Sequence, residues 1–236
     1  FKLRIHMYKI ERMKNIFIYV CSCFLCIVSV LNTNAQELSN PEKLSMPLYQ
    51  GSFIGLNLAP SVESFFVPSY FSTEVSIDVS LKQKYFPIVE AGIENRKLLT
   101  SDYTYNSSGY FAKFGINYNF LKTSTLVPNN IFYIGARYAI ASTTYELATQ
   151  VTESYWNEQG EVSLMPTKSL ATWGEIVLGV RAELFPSVLL GTSVRYGFAP
   201  SFSKSLLGYP TFIPNYGLFL PNKWLFTYSI TYKLPF

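Results

Sequence analysis

Histidine and cysteine are absent from Gln36 onward: the one histidine is His6, and the three cysteines are Cys21, Cys23 and Cys26. That part of the chain can therefore hold no disulfide, no thiolate metal site and no cysteine nucleophile. Ser–His–acid and Asp–His hydrolysis are excluded as well, because both use an imidazole as general base. Catalysis by carboxylates alone stays open. There is no metal-spaced cluster, glycine-rich phosphate loop or nucleotide motif, so no metal and no cofactor is expected. Charge is scarce, at 14% of residues, against about a quarter in an ordinary domain. The formal charge of +4 comes from the first fifteen residues; beyond them 14 basic and 14 acidic residues balance. A neutral chain gives no reason to expect a nucleic-acid partner. Long apolar runs are missing too: after residue 36 none could form a membrane-crossing helix.

The leader differs from the rest. Met13-Lys14-Asn15 precede a nearly continuous apolar stretch, Ile16 to Leu31, and then Asn32-Thr33-Asn34-Ala35-Gln36. A basic start, a short apolar core and a small residue at the break define a secretory signal peptide, with cleavage expected after Ala35. The core is short for a retained membrane anchor. The expected organisation is an upstream segment and signal peptide over 1–35, a polar periplasmic lead-in over 36–50, and one β-barrel over 51–236.

What the chain has in abundance is aromatic residues, 17% of the total with 18 Tyr and 19 Phe, and strict alternation. From Trp224 to Phe236 the even positions are Trp, Phe, Tyr, Ile, Tyr, Leu and Phe, while Thr227, Ser229, Thr231 and Lys233 fall between. Successive side chains of a strand point to opposite faces, so this segment has one oily and one wet face. Seven further stretches repeat the pattern. The clearest sets Val75, Ile77, Val79 and Leu81 against Glu74, Ser76, Asp78 and Ser80. Short connections (Gln83–Tyr85, Leu121–Asn130, Phe185–Ser187) alternate with long ones (Pro60–Ser72, Asn95–Gly109, Ser142–Ser169, Pro200–Lys223). Short periplasmic turns and long external loops belong to outer-membrane barrels. The expected fold is all-β: an eight-stranded antiparallel up-and-down transmembrane β-barrel.

A soluble eight-stranded barrel also alternates, with its oily face inward. Three features choose the opposite. Glycines fall on the polar face (Gly55, Gly92, Gly115, Gly135, Gly179, Gly191, Gly197), where a narrow interior needs small residues. That face carries both charge signs at mid-strand, where facing lipid would cost roughly 2–4 kcal/mol per Arg or Lys. Aromatics of the oily face gather near strand ends: Tyr110, Tyr138, Tyr196, Phe198 and Trp224 as an external girdle, Tyr118, Phe120, Phe132, Tyr232 and Phe236 as a periplasmic one.

The inward set then contains Glu74, Asp78, Glu90, Glu94, Lys113, Arg137, Glu175, Arg181 and Arg195, with Glu183 and Lys233 nearer the ends. Unpaired charges in so narrow a barrel would be strongly destabilising, so acids and bases are expected to interlock as a plug. A gated ion path and a catalytic carboxylate pair are the alternatives. In the long loops, Tyr155, Trp156, Tyr209 and Tyr216 are candidate binding residues, because exposed rings stack on sugars or peptides.

The architecture resembles small outer-membrane barrels of the OmpA/OmpX type. The blocks Lys82 to Gly92, Gly115 to Lys122, Gly135 to Ala139, and Trp173 to Glu175 with Gly179 to Ala182 resemble a domain-of-unknown-function family of small exported barrels, DUF6048. That resemblance brings no established activity. It implies a C-terminal aromatic signal for the barrel-assembly machinery, here Tyr228, Tyr232 and Phe236, with Pro235 a departure from the usual penultimate residue. The resulting expectation is a non-enzymatic protein of the Gram-negative outer membrane. Its partners would be membrane lipid, the assembly machinery and a surface ligand or partner protein. Two alternatives stand beside it: binding or transport of a small hydrophobic or glycan ligand through the external loops, and a lipid-modifying enzyme.

Overall fold

Alternation becomes extended chain along nearly every apolar–polar stretch. The computed structural model describes residues 47–60, 69–99, 103–121, 129–153, 158–203, 210–218 and 220–235. Its strands are β1 (Tyr49–Asn57), β2 (Tyr70–Leu81), β3 (Tyr85–Leu99), β4 (Tyr103–Asn119), β5 (Ile131–Glu153), β6 (Glu158–Phe185), β7 (Val188–Phe202), β8 (Phe212–Ile213), β9 (Gly217–Leu218) and β10 (Asn222–Lys233). Eight of them close into a barrel in the order β1-β10-β7-β6-β5-β4-β3-β2, and β8 with β9 makes a separate two-stranded ribbon. The seam is β1 on β10, antiparallel, with Phe53 opposite Lys233 and Asn57 opposite Ser229. Closure removes both sheet edges.

The tight turns lie at one end. Between β2 and β3, Lys82 and Gln83 both take positive φ, 53° and 52°, and the Lys84 N–H donates to the Leu81 carbonyl at 3.0 Å. Two positive φ values define the hairpin turn whose twist matches the strands it joins. Between β6 and β7 only Pro186 and Ser187 intervene.

Oil lies outside and charge inside. Val75, Ile77, Val89, Ile93, Phe114, Ile116, Ile176, Leu178, Phe226 and Ile230 are exposed, while Glu74, Asp78, Glu90, Lys113, Arg137, Glu175, Arg181 and Arg195 are buried. This polarity is the reverse of a soluble barrel's and is that of a transmembrane barrel. Two aromatic rings of residues bound the oily belt. In the upper one Tyr196 lies 4.8 Å from Trp224 and 6.4 Å from Phe198. In the lower one Tyr85, Tyr118, Phe120 and Phe132 form a chain of contacts at 5.6, 5.3 and 5.9 Å. Tyr110 on β4 and Phe120, the residue after its last, mark the two levels. At ~3.4 Å per residue and a tilt of ~40°, their separation is about 26 Å, the height of a lipid-facing band. Phe236 lies outside the described residues.

The connections expected over Asn95–Gly109 and Ser142–Ser169 are corrected: most of both is strand. β5 has 23 residues and β6 has 28, so this hairpin runs far beyond the belt. The cause is a change of solvent along a continuous pleat. Within the belt β5 turns Ile134, Ala136 and Tyr138 outward; above it the outward positions are Thr144 and Glu146, and the apolar Tyr145 and Leu147 point inward. β4 does the same, with Tyr110 outward below and Tyr105 inward above. Where lipid gives way to water the oily face must change sides, and the pattern inverts without a break in the strand.

Candidate functional site

The interior is stacked in layers. The lowest is apolar: Phe53, Phe86, Ile131 and Leu189 pack together with Tyr133 against them. On it sits an ion pair, the Arg181 guanidinium donating from one nitrogen to both oxygens of Asp78 at 2.9 Å. The guanidinium also lies 4.3 Å from the Phe53 ring and 5.3 Å from Phe86. Such stacking offers the cation a second favourable contact.

Above it three acids meet three cations. Register places them: Glu90 opposite Lys113 across β3 and β4, and Arg137 opposite Glu175 across β5 and β6. Arg195 grips Glu90 with two hydrogen bonds, 2.8 and 3.1 Å, and approaches Glu74 at 3.4 Å and Glu175 at 3.6 Å. Lys113, with no exposed surface, faces Glu175 at 3.3 Å, Glu74 at 3.6 Å and Glu90 at 3.8 Å. Arg137 approaches Glu90 at 3.5 Å and donates to Asn117 Oδ1 at 2.7 Å and to the Ala136 carbonyl at 3.0 Å. With Asp78 and Arg181, four carboxylates face four cations. Charges taken from water are tolerable only when paired and hydrogen-bonded; every charge here is paired, while Arg195 Nε and Arg181 Nε and Nη2 are buried without a hydrogen-bond partner among the described residues. Gly115 and Gly135 make room for it: a side chain at either would run into the Arg137 side chain.

Neutral groups complete the layer. The Trp173 indole donates to Glu175 at 2.7 Å, Asn57 to Glu74 at 3.3 Å, and the Asn215 amide to Glu74 at 2.6 Å. Asn215 comes from the ribbon between β7 and β10, which folds down into the mouth. Its backbone N–H donates to Glu94 at 2.8 Å. Ile213 and Tyr216 join Phe111, Ala139, Ala141, Ala171 and Trp173 in a second apolar layer. Gly197 lets the Tyr216 ring approach; a Cβ there would sit 2.8 Å from Cε2. A third cluster, Tyr105, Tyr145 and Phe212 with Leu98 and Leu147, fills the part of the barrel above the belt.

Of the inward residues singled out in the sequence, Glu74, Glu90, Lys113, Arg137, Glu175 and Arg195 lie together. Asp78 and Arg181 form their own pair beneath. Glu94 stands apart, held by Asn215 and by Arg96 at 3.8 Å. Glu183 accepts from Asn129 at 2.7 Å and from the Ser187 N–H at 3.0 Å near the turn end. Trp173, Asn57, Asn117 and Asn215 were missed. Trp173 and Asn117 share strand parity with Glu175 and Lys113, a signal that reading only charged residues passes over, and Asn57 stands opposite Glu74 across β1 and β2; Asn215 has no strand pattern to reveal it. Tyr216 is corrected: it is fully buried and donates to the Leu220 carbonyl at 2.7 Å, so it has no ring face for a surface ligand. Tyr155, Trp156 and Tyr209 lie outside the described residues. Tyr228 and Tyr232 are exposed on the oily face of β10. Among the described residues no group of His, Cys, Asp and Glu could hold a metal ion.

No curated protein matches the chain. Among solved structures it is similar to Ail, the attachment invasion locus protein of Yersinia pestis, at 9% identity and a TM-score of 0.39, covering 78% of this chain and 98% of that one. It is also similar to the Neisserial surface protein A, NspA, at 11% identity and a TM-score of 0.31, covering 79% and 99%. The sequence profile of a domain of unknown function matches residues 13–236, nearly the whole chain, and the protein therefore belongs to the DUF6048 family.

Proposed function

We propose that this is a non-enzymatic protein of the Gram-negative outer membrane, exported by a signal peptide over 1–35 and inserted as a sealed barrel. Its role is then structural or one of surface interaction. The observation that carries the reading is the layered interior: a charge-balanced layer between an apolar layer at the turn end and another at the mouth. Such an interior is what a plug against ion flow requires, with a further cavity of about 280 Å³ at the mouth lined by Asn57, Arg195 and Thr227 among others. The space beside the charges amounts to about 40 Å³, room for one or two waters. Tyr228, Tyr232 and Phe236 serve in this reading as the signal for the barrel-assembly machinery. The surface partner is met by the β5–β6 hairpin, which carries Tyr155 and Trp156, and by the β7–β10 connection with Tyr209.

Gel mobility of purified outer membranes, boiled and unboiled, tests the location. A heat-dependent shift in that fraction is the expected result; a soluble periplasmic protein without a shift would overturn it. Planar-bilayer recording tests the seal. The expected trace stays at background, and conductance that Arg137→Ala abolishes would replace the plug with an ion path. Deleting 149–167 should abolish surface binding while the heat shift persists.

A further inference from the structure

The ribbon fills one side of the mouth. Ile213 and Tyr216 pack against Phe111, Ala139, Ala141 and Trp173, and Phe212 packs against Tyr105 and Tyr145, all on β4 to β6. The other side, toward β10, β1 and β2, holds the cavity of about 280 Å³, near the lower end of the size range of small-molecule sites. Strand length accounts for it. β5 and β6 run far above the belt, whereas β1 ends at Asn57 and β10 begins at Asn222. Asn57, Thr227 and Arg195 make the floor, with Arg195 committed to Glu90 below it. Arg96, Lys223 and Glu94 stand on the sides.

Two cations are set into these sides by separate devices. The Arg96 guanidinium lies between two rings, 4.2 Å from Tyr70 of the barrel wall and 4.4 Å from Phe212 of the ribbon. Stacking occupies the faces of a guanidinium and not its in-plane donors, whose fork matches a carboxylate or phosphate. Of the Arg96 side chain 18% stays accessible, so a solute can reach it. From β10 the half-buried Lys223 brings its ammonium against Gly217 of the ribbon, into the place that a Cβ at 217 would take. Gly217 also has φ 86°, a conformation that favours glycine. The ribbon residue thus makes room for the lysine as well as for its own turn.

Charge names the ligand. The layer beneath is balanced. Above it the described lining adds Arg96 and Lys223 but only one acid, Glu94, which faces Arg96 at 3.8 Å. A positive excess in a recess walled by protein attracts an anion more strongly than the same charge in open water. Asn57, Asn215 and Thr227 add amide and hydroxyl groups, which suit the hydroxyls of a polar body.

We propose that this cavity binds a small hydroxylated anion, a sugar acid or sugar phosphate, with its charged group held by Arg96 and Lys223. The proposal rests on the outer-membrane reading above, which sets the mouth on the cell surface. It gives the surface-interaction role a soluble ligand.

The test uses the full barrel folded in a zwitterionic detergent, with glucuronate and glucose 6-phosphate as probes and glucose as the neutral control. Calorimetric titration reads the affinity. One or both anions should bind and glucose should not; the tighter anion identifies the group, carboxylate or phosphate. Lys223→Gln should weaken its binding about tenfold, the size expected for losing one charge-assisted hydrogen bond. Gly217→Ala removes no charge but takes the place of the ammonium, and should weaken binding by a similar factor. Lys97→Gln, at an exposed cation on the outer wall, should change nothing. Glucose binding as tightly as the anions would overturn the proposal. So would unchanged affinity in Lys223→Gln or Gly217→Ala, an equal loss in Lys97→Gln, or no binding of either anion by the folded wild-type barrel. The heat shift is read on the same preparations. Its absence from the wild type counts against the outer-membrane reading, whereas missing binding with the shift intact counts against the cavity alone.

Discussion

The two walls of the interior are built on opposite plans. The wall of β2 to β6, with Arg195 at its margin, carries every member of the charge layer. The facing wall of β1, β10 and the lower part of β7 carries Gly55, Gly191, Ser193, Thr227, Ser229 and Thr231. An eight-stranded barrel is just wide enough for side chains to fill it. Long charged side chains from one wall therefore use the room that small residues leave on the other. Charge neutrality is settled within the first wall and volume is settled by the second, so the two should fail in different ways.

Breaking neutrality should cost most. Lys113→Met keeps the volume but leaves Glu74, Glu90 and Glu175 short of one cation. Removing one partner of a buried charge cluster costs about 3–5 kcal/mol, which guanidinium unfolding followed by the heat-modifiable band would measure. A loss below ~1 kcal/mol would mean that the acids do not depend on Lys113. Glu175→Gln added to the same chain restores the balance and should return much of the loss. Asn215→Ala comes next. It removes a neutral donor to a buried carboxylate, a bond of about 1.5–3 kcal/mol, and should expose the mouth ribbon to protease before the barrel unfolds. Intact protection would show that Tyr216 against Trp173, 5.4 Å apart, holds the ribbon by itself.

The same division explains what the sequence disclosed. Strand number follows from the repeated alternation, and the orientation of the oily face from the glycines and mid-strand charges that share the polar parity and the girdle aromatics of the other, because a one-residue slip would put Lys113 or Arg137 into lipid. The reach of β5 and β6 did not follow. Ser142 to Ser169 looks like loop when one oily face is sought throughout, since beyond Ile140 the apolar residues change sides to Tyr145 and Leu147. Glu90 and Arg195 could be named from parity, but their contact joins strands far apart in sequence and emerges only from the register of the closed barrel. The descent of Ile213, Asn215 and Tyr216 into the mouth had no signal. An aromatic loop that packs inward and one that meets a ligand have the same composition, and only the position of Trp173 beneath distinguishes them.

The small wall gives the subtler tests. Gly191→Val should cost about 1–3 kcal/mol by overpacking, because a Cβ at Gly191 would already sit 2.6 Å from Ser229 Oγ. Its signature differs from that of Lys113→Met: no second charge substitution should rescue it, whereas Ser229→Gly should. Thr227→Val is the mildest. Its hydroxyl lies 2.6 Å from Ser193 Oγ, and losing that neutral bond costs about 0.5–1.5 kcal/mol with the volume conserved. A loss as large as that of Asn215→Ala would mean that the hydroxyl wall does more than fill space. It would then share in holding the charges, and the division between the two walls would no longer stand.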